Sequence, residues 1–534
     1  MRKKEDFRPY VSRSHPKAAE VLDGRDHYQH AAAALDNPIA RDQIIKPWNE
    51  MYAAPFVGLT SDGQAIPGLY SLAPNGAPTE AMVAAMLRLL PMLSAEQRNA
   101  IGFPVDAREW RRWNNTEMYL YPQGLRLEEV TVEVREAILD VVRESLSARG
   151  FAKTRDVMRF NQALGELIGN TKVLNEWSYN FSLFGTPSPT EPWGWQLMGH
   201  HLALNCLVIG AQLVMSPTFM GAEPCYIDDG LHAGLSLFED EEHRGLALLR
   251  ALSDAQRKEA IVYHSMMGGD LPPDRRQRPD QLQLGGAFQD NRVIPYEGVA
   301  VQGFTREQRR RLLDLIESYV DPMPDGPMRA RMDEIERHLD GTHFCWIGGT
   351  RDIDTFYYRI QSPVVMIEFD QHSGVFLSNK EPAKFHIHTI VRTPNGNDYG
   401  ADLLRMHYQA SHQGSRPGGQ DAALRSDHDG GHAGHAQSAG ETRRHSHGGY
   451  SHSHSHSGAH DRGHSHGHNH AHEHPHSHGS GYGIVNPRRK DKRDSQDGNQ
   501  SMRADGESAA PAEPQARRSS SAGKSTDKKD GKPT

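Results

Sequence analysis

Only three cysteines occur in 534 residues, Cys206, Cys225 and Cys345. They are too few and too scattered for a disulfide framework or a thiolate zinc site, and they suit a reducing compartment. No window approaches the roughly 18 consecutive apolar residues of a membrane span, so none is expected. The start, MRKKEDFRPYVSRSHPKAAE, is basic but lacks the apolar stretch of a secretory signal, which makes the cytoplasm the expected location. Hydrophobic residues reach only 37 %, and the shortfall lies beyond residue 412. A surplus of positive charge is missing too. Formal net charge is −8, and residues 413–534 hold 17 Lys+Arg against 14 Asp+Glu, or +3, so the first 412 residues carry −11. An acidic body excludes the clustered positive charge of a nucleic-acid groove.

What is present sorts into four regions. Residues 1–60 read as an irregular lead-in. Residues 61–190 are mainly helical: TEAMVAAMLRLLPML, VTVEVREAILDVVRESLSARG and TRDVMRFNQALGELIG repeat apolar residues at three- and four-residue spacing. The second of these ends in Gly150, read as a C-cap. Residues 191–412 mix both types of element. WGWQLMGHHLALNCLVIGAQLVMSPTF has strand composition with a hairpin turn at GAQ. Helical signals return at 235–268 and 305–339, and strands resume from THFCWIGG to KFHIHTIVRTPNGNDYG. The expected class is α+β: a helical N-terminal part, an antiparallel β region with flanking helices, and a disordered tail over 413–534. LSAEQR, LSDAQR and FTREQR each place Ser or Thr three residues before Gln (Ser94/Gln97, Ser253/Gln256, Thr305/Gln308), which is the capping-box signature. Three similar helix starts explain the echo more simply than a duplicated unit does.

Side chains alternate across a strand, so parity sorts candidate site residues. In FHIHTIVR one face carries Phe385, Ile387, Thr389 and Val391, and the other carries His386, His388, Ile390 and Arg392. In VVMIEFD, Val365, Ile367 and Phe369 oppose Val364, Met366, Glu368 and Asp370. If LMGHHLALN is one strand, His201 falls on the polar side and His200 on the packed side. His386, His388 and Glu368, with His201, then make a ligand set for Zn, Fe, Mn, Ni or Cu with a position left open. Arg392 would hold an anion, and Asp370 or Asp398 would serve as acid/base. Asp398 also suits a helix cap before Tyr399. A metal-free polar pocket and a structural hydrogen-bond network remain alternatives. His-x-His on a strand is similar to cupin barrels, but the acid expected soon after the second histidine is missing from Thr389–Thr393.

PWGWQLMGHHLALN, SPTFMGAEP, GAFQDNRVIPYEG, FYYRI, IEFD and HIHTIVRTPNGNDYGADLLRMHY follow one another in this order. Together they resemble an uncharacterised bacterial and fungal family, a domain of unknown function, over roughly residues 80–412. The resemblance implies membership and no catalytic roles. Its motifs contain His200, His201, Asn205, Arg359, Glu368, His386, His388, Arg392 and Asp398. Many relatives look exported, which sets the resemblance against the cytoplasmic expectation.

Eighteen of the 32 histidines lie between 412 and 478, many as His-Ser or His-Gly. Neutral imidazoles on a flexible chain bind Ni²⁺, Cu²⁺ and Zn²⁺. Three functions therefore stay open. The first is a metal-dependent enzyme, hydrolytic or oxidative, acting on an anionic small molecule or peptide. The second is a metal-handling protein that uses its tail without turnover. The third is a small-molecule or peptide binder with a polar pocket.

Overall fold

The computed structural model describes residues 5–12, 24–278, 280–414, 445–447 and 450–452. Nearly all of the tail, and with it the expectation of disorder there, lies outside these residues. Eight strands form the centre: β1 (Tyr179–Gly185), β2 (Trp193–Gly199), β3 (Leu202–Ile209), β4 (Gln212–Ala222), β5 (His343–Gly348), β6 (Phe356–Gln361), β7 (Met366–Gln371) and β8 (Ile387–Arg392). Each set of four is an antiparallel meander, and the two meanders join through their last strands, β4 against β8. The result is one mainly antiparallel sheet flanked by helices, an α+β fold. No helix among the described residues is long and apolar enough to cross a membrane.

The two meanders belong to two copies of one unit. Before β1 come the helix Ala95–Ile101 and the edge strand Gly102–Phe103, which runs parallel to β1. Before β5 come the helix Asp254–Ala260 and the edge strand Ile261–Tyr263, parallel to β5. Registers match as well. Phe181 faces Leu125 as Phe344 faces Val299, and Leu183 faces Gly102 as Trp346 faces Ile261. Gln196 faces Asn205 as Arg359 faces Glu368. The helix α1 (Val132–Glu144), capped by Thr131, corresponds to α2 (Arg306–Val320), capped by Thr305. All three expected capping boxes form, each cap typically worth about 1 kcal/mol. The echo of LSAEQR in LSDAQR is thus the trace of a duplicated unit, against the simpler reading. Sequence outside the caps has diverged while strand register has not, because register is held by burial on both faces.

One face of the sheet is aromatic and packs on helices. Tyr358 donates to the Glu241 carbonyl at 2.9 Å, and the Trp195 indole donates to Ser145 Oγ at 2.9 Å. The opposite face carries the polar side chains and is covered by the segments around 104–126, which includes the short 3-10 helix Arg108–Arg112, and 264–297. Gln196 donates to the Trp110 carbonyl in the first, and Leu284 and Gly285 bind Glu368 in the second. Three expectations are corrected. The lead-in contains helices His27–Asp36 and Lys46–Ala53. Gly150 does not end α1, which stops at Glu144; it lies in the first turn of Ala148–Ile168, where a Cβ would come within 2.3 Å of the Pro322 carbonyl oxygen. The boundary at 190/191 falls between β1 and β2, inside the sheet.

Candidate metal centre

The site forms where the seam between the meanders meets the β2–β3 turn. Across the seam His388 pairs with Gly221 of β4, and on its other side with Asp370 of β7. His386 lies two residues earlier, on the same face by strand parity. His201 reaches them from a different direction. GHHL is not one strand: Gly199 ends β2, Leu202 begins β3, and the two pair across the His200–His201 turn. The turn, and not strand parity, therefore places His201 beside His386 and His388. His201 takes a left-handed conformation, φ 62°, which is uncommon for a residue with a Cβ. It is held there by its amide, donated to the Asn115 carbonyl (3.3 Å), and by the Gly221 amide, donated to its own carbonyl (2.8 Å).

His201, His386 and His388 offer one imidazole nitrogen each, all within 4.8 Å of one another. His386 Nδ1 lies 2.9 Å from the Ser373 carbonyl oxygen. A carbonyl only accepts, so Nδ1 carries the proton and Nε2 presents a lone pair. That Nε2 lies 3.1 Å from Nε2 of His388. Two nitrogens about 2.1 Å from one ion, at ordinary coordination angles, are separated by roughly 3.0–3.4 Å. The spacing fits two ligands on one cation. Gly221 makes room for the rings: a Cβ there would meet His388 Cδ2 at 2.9 Å and His201 Cδ2 at 3.1 Å.

All three imidazoles are buried, and burial first, then neighbouring imidazoles, hold each pKa well below the usual value. They are neutral, the state that binds metal. Behind His386, at 3.7 Å from Nδ1, sits the buried carboxylate of Glu223. It accepts the amides of Val375, Phe376 and Leu377 and, through burial, is pushed up to about 7. Such outer partners orient metal-binding imidazoles.

The remaining sequence candidates divide. Asp370 does reach the site: its Oδ2 lies 2.9 Å from His372 Nε2, and the His372 ring is 3.9 Å from that of His388. Glu368 shares the face but not the cluster. Its carboxylate accepts the amides of Leu284 and Gly285 (2.8 Å each) and the Tyr357 hydroxyl (2.6 Å), so it anchors the covering segment rather than a metal. Arg392 is fully buried and spent. It donates to the carbonyls of Gly285 and Gly286 and to Asp290 and Asp398, leaving no cation for an anionic substrate. Asp398 accepts from Arg392, Ser216 and Thr393, and therefore acts neither as acid/base at the imidazoles nor as a helix cap; Asn397 occupies the cap position. His372 and Glu223 escaped the sequence reading. The first continues the parity of Glu368 and Asp370 by one more step, and the second lies two residues beyond Gly221.

A family model described as Protein of unknown function (DUF3500) matches residues 75–401, and the chain belongs to that family. The matched span contains both copies of the duplicated unit and every residue of the centre. No curated protein and no solved structure matches the chain.

Proposed function

We propose, from membership of that family and the geometry of the seam, that the protein is a metal-dependent enzyme acting on a small molecule. His201, His386 and His388 would hold one divalent transition ion. The single observation that carries this is the 3.1 Å approach of two Nε2 atoms, one of which is fixed as an acceptor by the Ser373 carbonyl. Three neutral imidazoles with no carboxylate among them match a hydrolytic site more closely than the two-histidine, one-carboxylate set of oxygen-activating iron. Such an ion supplies Lewis acidity. The chain's own contribution would be a proton acceptor: the Asp370–His372 pair beside His388 takes the proton that water gives up as its oxygen bonds to the substrate, and returns it to the leaving group as the hydrolysed bond breaks. Ser373 and Glu223 keep His386 oriented.

Elemental analysis tests this on protein ending at residue 412, purified without a nickel column, so that the tail histidines contribute nothing. One ion per chain is expected, falling below a tenth of that in His386→Ala and in His388→Ala. Metal found only on the full-length chain would favour the metal-handling reading, in which the tail alone binds ions. Burial of all three imidazoles supports a resident ion over one in rapid exchange with the tail.

A further inference from the structure

The contacts beside the imidazoles close into a ring. From His201 the ring passes to the Asn115 carbonyl (3.3 Å), and the Asn115 side chain lies beside the Asp280 carboxyl, favouring its charged form. The Gln283 amide donates to the Asp280 carbonyl at 2.9 Å, and its neighbour Leu282 donates to Asp370 Oδ2 at 3.0 Å. Asp370 leads through His372 back to His388. On this ring Asn115 Oδ1, Asp280 Oδ1, Asp370 Oδ1, both polar atoms of Gln283, both ring nitrogens of His372 and Nδ1 of His388 are buried without a hydrogen-bond partner. These residues are 4, 3, 0 and 1 % exposed for Asn115, Asp280, Asp370 and Gln283. Native proteins leave few such atoms, and eight in one ring at the convergent imidazoles mark a place where something else supplies the partners.

The chemistry of those atoms is one-sided. Four are oxygens that only accept, one is an amide nitrogen that donates, and three are imidazole nitrogens that do either, so whatever fills the ring mainly donates hydrogen bonds. An anion would face the carboxylates of Asp280 and Asp370, against which the nearest uncommitted cation is Arg275, bonded to the Leu282 carbonyl with Nε and Nη2 buried and unpartnered. Arg392 is spent as described, and Arg111 is committed to Asp290 and to the carbonyls of Ala54 and Met51.

We propose that this ring is the substrate sub-site of the metal centre and takes a small, uncharged, hydroxyl-rich molecule. The proposal rests on the metal reading above. Hydroxyl groups donate to Asn115, Asp280, Gln283 and Asp370, and the end of the molecule nearest His388 meets the Asp370–His372 pair.

Calorimetric titration of the full, zinc-loaded chain with erythritol, acetate and ethanolamine tests it, with metal content measured on the same samples. Saturable erythritol binding is expected, weakened at least tenfold in Gln283→Met with metal content and unfolding midpoint unchanged. Asn115→Leu gives the same loss and stands in if Gln283→Met does not fold. Tighter binding of acetate or ethanolamine than of erythritol overturns the proposal, as does absence of binding by all three in protein that retains its ion. The metal reading fails separately, if His386→Ala removes no ion from the chain. Erythritol binding that still depends on Gln283 would then support the ring as a binding site in its own right.

Discussion

The two copies of the duplicated unit share a scaffold and differ in charge. In the first, the row Ser182–Gln196–Asn205 lies on the polar face; in the second, the corresponding row is Cys345–Arg359–Glu368. The first row is neutral and holds its covering segment through amides. Gln123 donates to Gln196, Gln196 to Asn205, and Asn205 to the Pro217 carbonyl, at 2.8, 2.6 and 2.8 Å. The second row is ionic and reaches outward, Arg359 to Glu297 and Glu368 to the backbone of 284–285. The seam is equally lopsided. Where β8 begins beside the β2–β3 turn there are three imidazoles. At the related place, where β4 begins beside the β6–β7 turn, there is instead a cavity of about 250 Å³ lined by Gln212–Met215, Thr393 and Asn397. A buried neutral row is satisfied by a few amide and carbonyl partners. A buried charged row needs partners from elsewhere, and those partners draw a covering segment over the site.

That contrast can be broken most severely at Arg392. Arg392→Ala leaves Asp290 and Asp398 buried without their shared cation, and a loss of about 3–5 kcal/mol is expected in urea unfolding. The charged copy also makes stability depend on pH. Burial, aided by the nearby Glu368, pushes Asp280 up to about 7 from its ordinary value of 3.8. Its folded pKa lies above its unfolded one, so its contribution is complete below about 3.8 and is lost as pH rises through about 7. Unfolding curves of Asp280→Asn and wild type should therefore diverge across that window, by about 1.4 kcal/mol for each unit of pKa difference. Exchanging the corresponding residues sharpens the comparison. Glu368→Gln weakens three hydrogen bonds and should cost about 1–3 kcal/mol, while Asn205→Asp places a carboxylate in the neutral row and should cost at least as much, less so in acid. The smallest effect is at the turn. His201→Gly relieves a left-handed backbone and should raise the stability of metal-free protein by about 1 kcal/mol, while lowering its metal content in elemental analysis.

Much of the second copy was legible because its strands obey parity. His386, His388, Glu368 and Asp370 do share a face, as alternation requires. Parity is silent on distance, however, and could not show that Glu368 would be taken by the amides of 284–285, which lie some eighty residues away in sequence. Nor could it see that Arg392 has a buried partner in Asp290, inside GAFQDNRVIPYEG. The turn at His200–His201 was hidden because neither residue is a usual turn former, so two short strands read as one. The duplication was visible only in its helix caps, where a specific hydrogen-bond pattern constrains residue type. Along the strands many hydrophobic sequences satisfy the same register, and the resemblance was erased.

His201 comes from one copy of the unit, and His386 and His388 come from the other. An ion held by all three would span the ladder between β4 and β8, the main join across the middle of the sheet. Neither half of the sheet holds all three imidazoles, so a chelator would remove a tie that lies across that ladder. Loss of the ion should therefore lower the cooperativity with which the halves unfold before it alters either half internally.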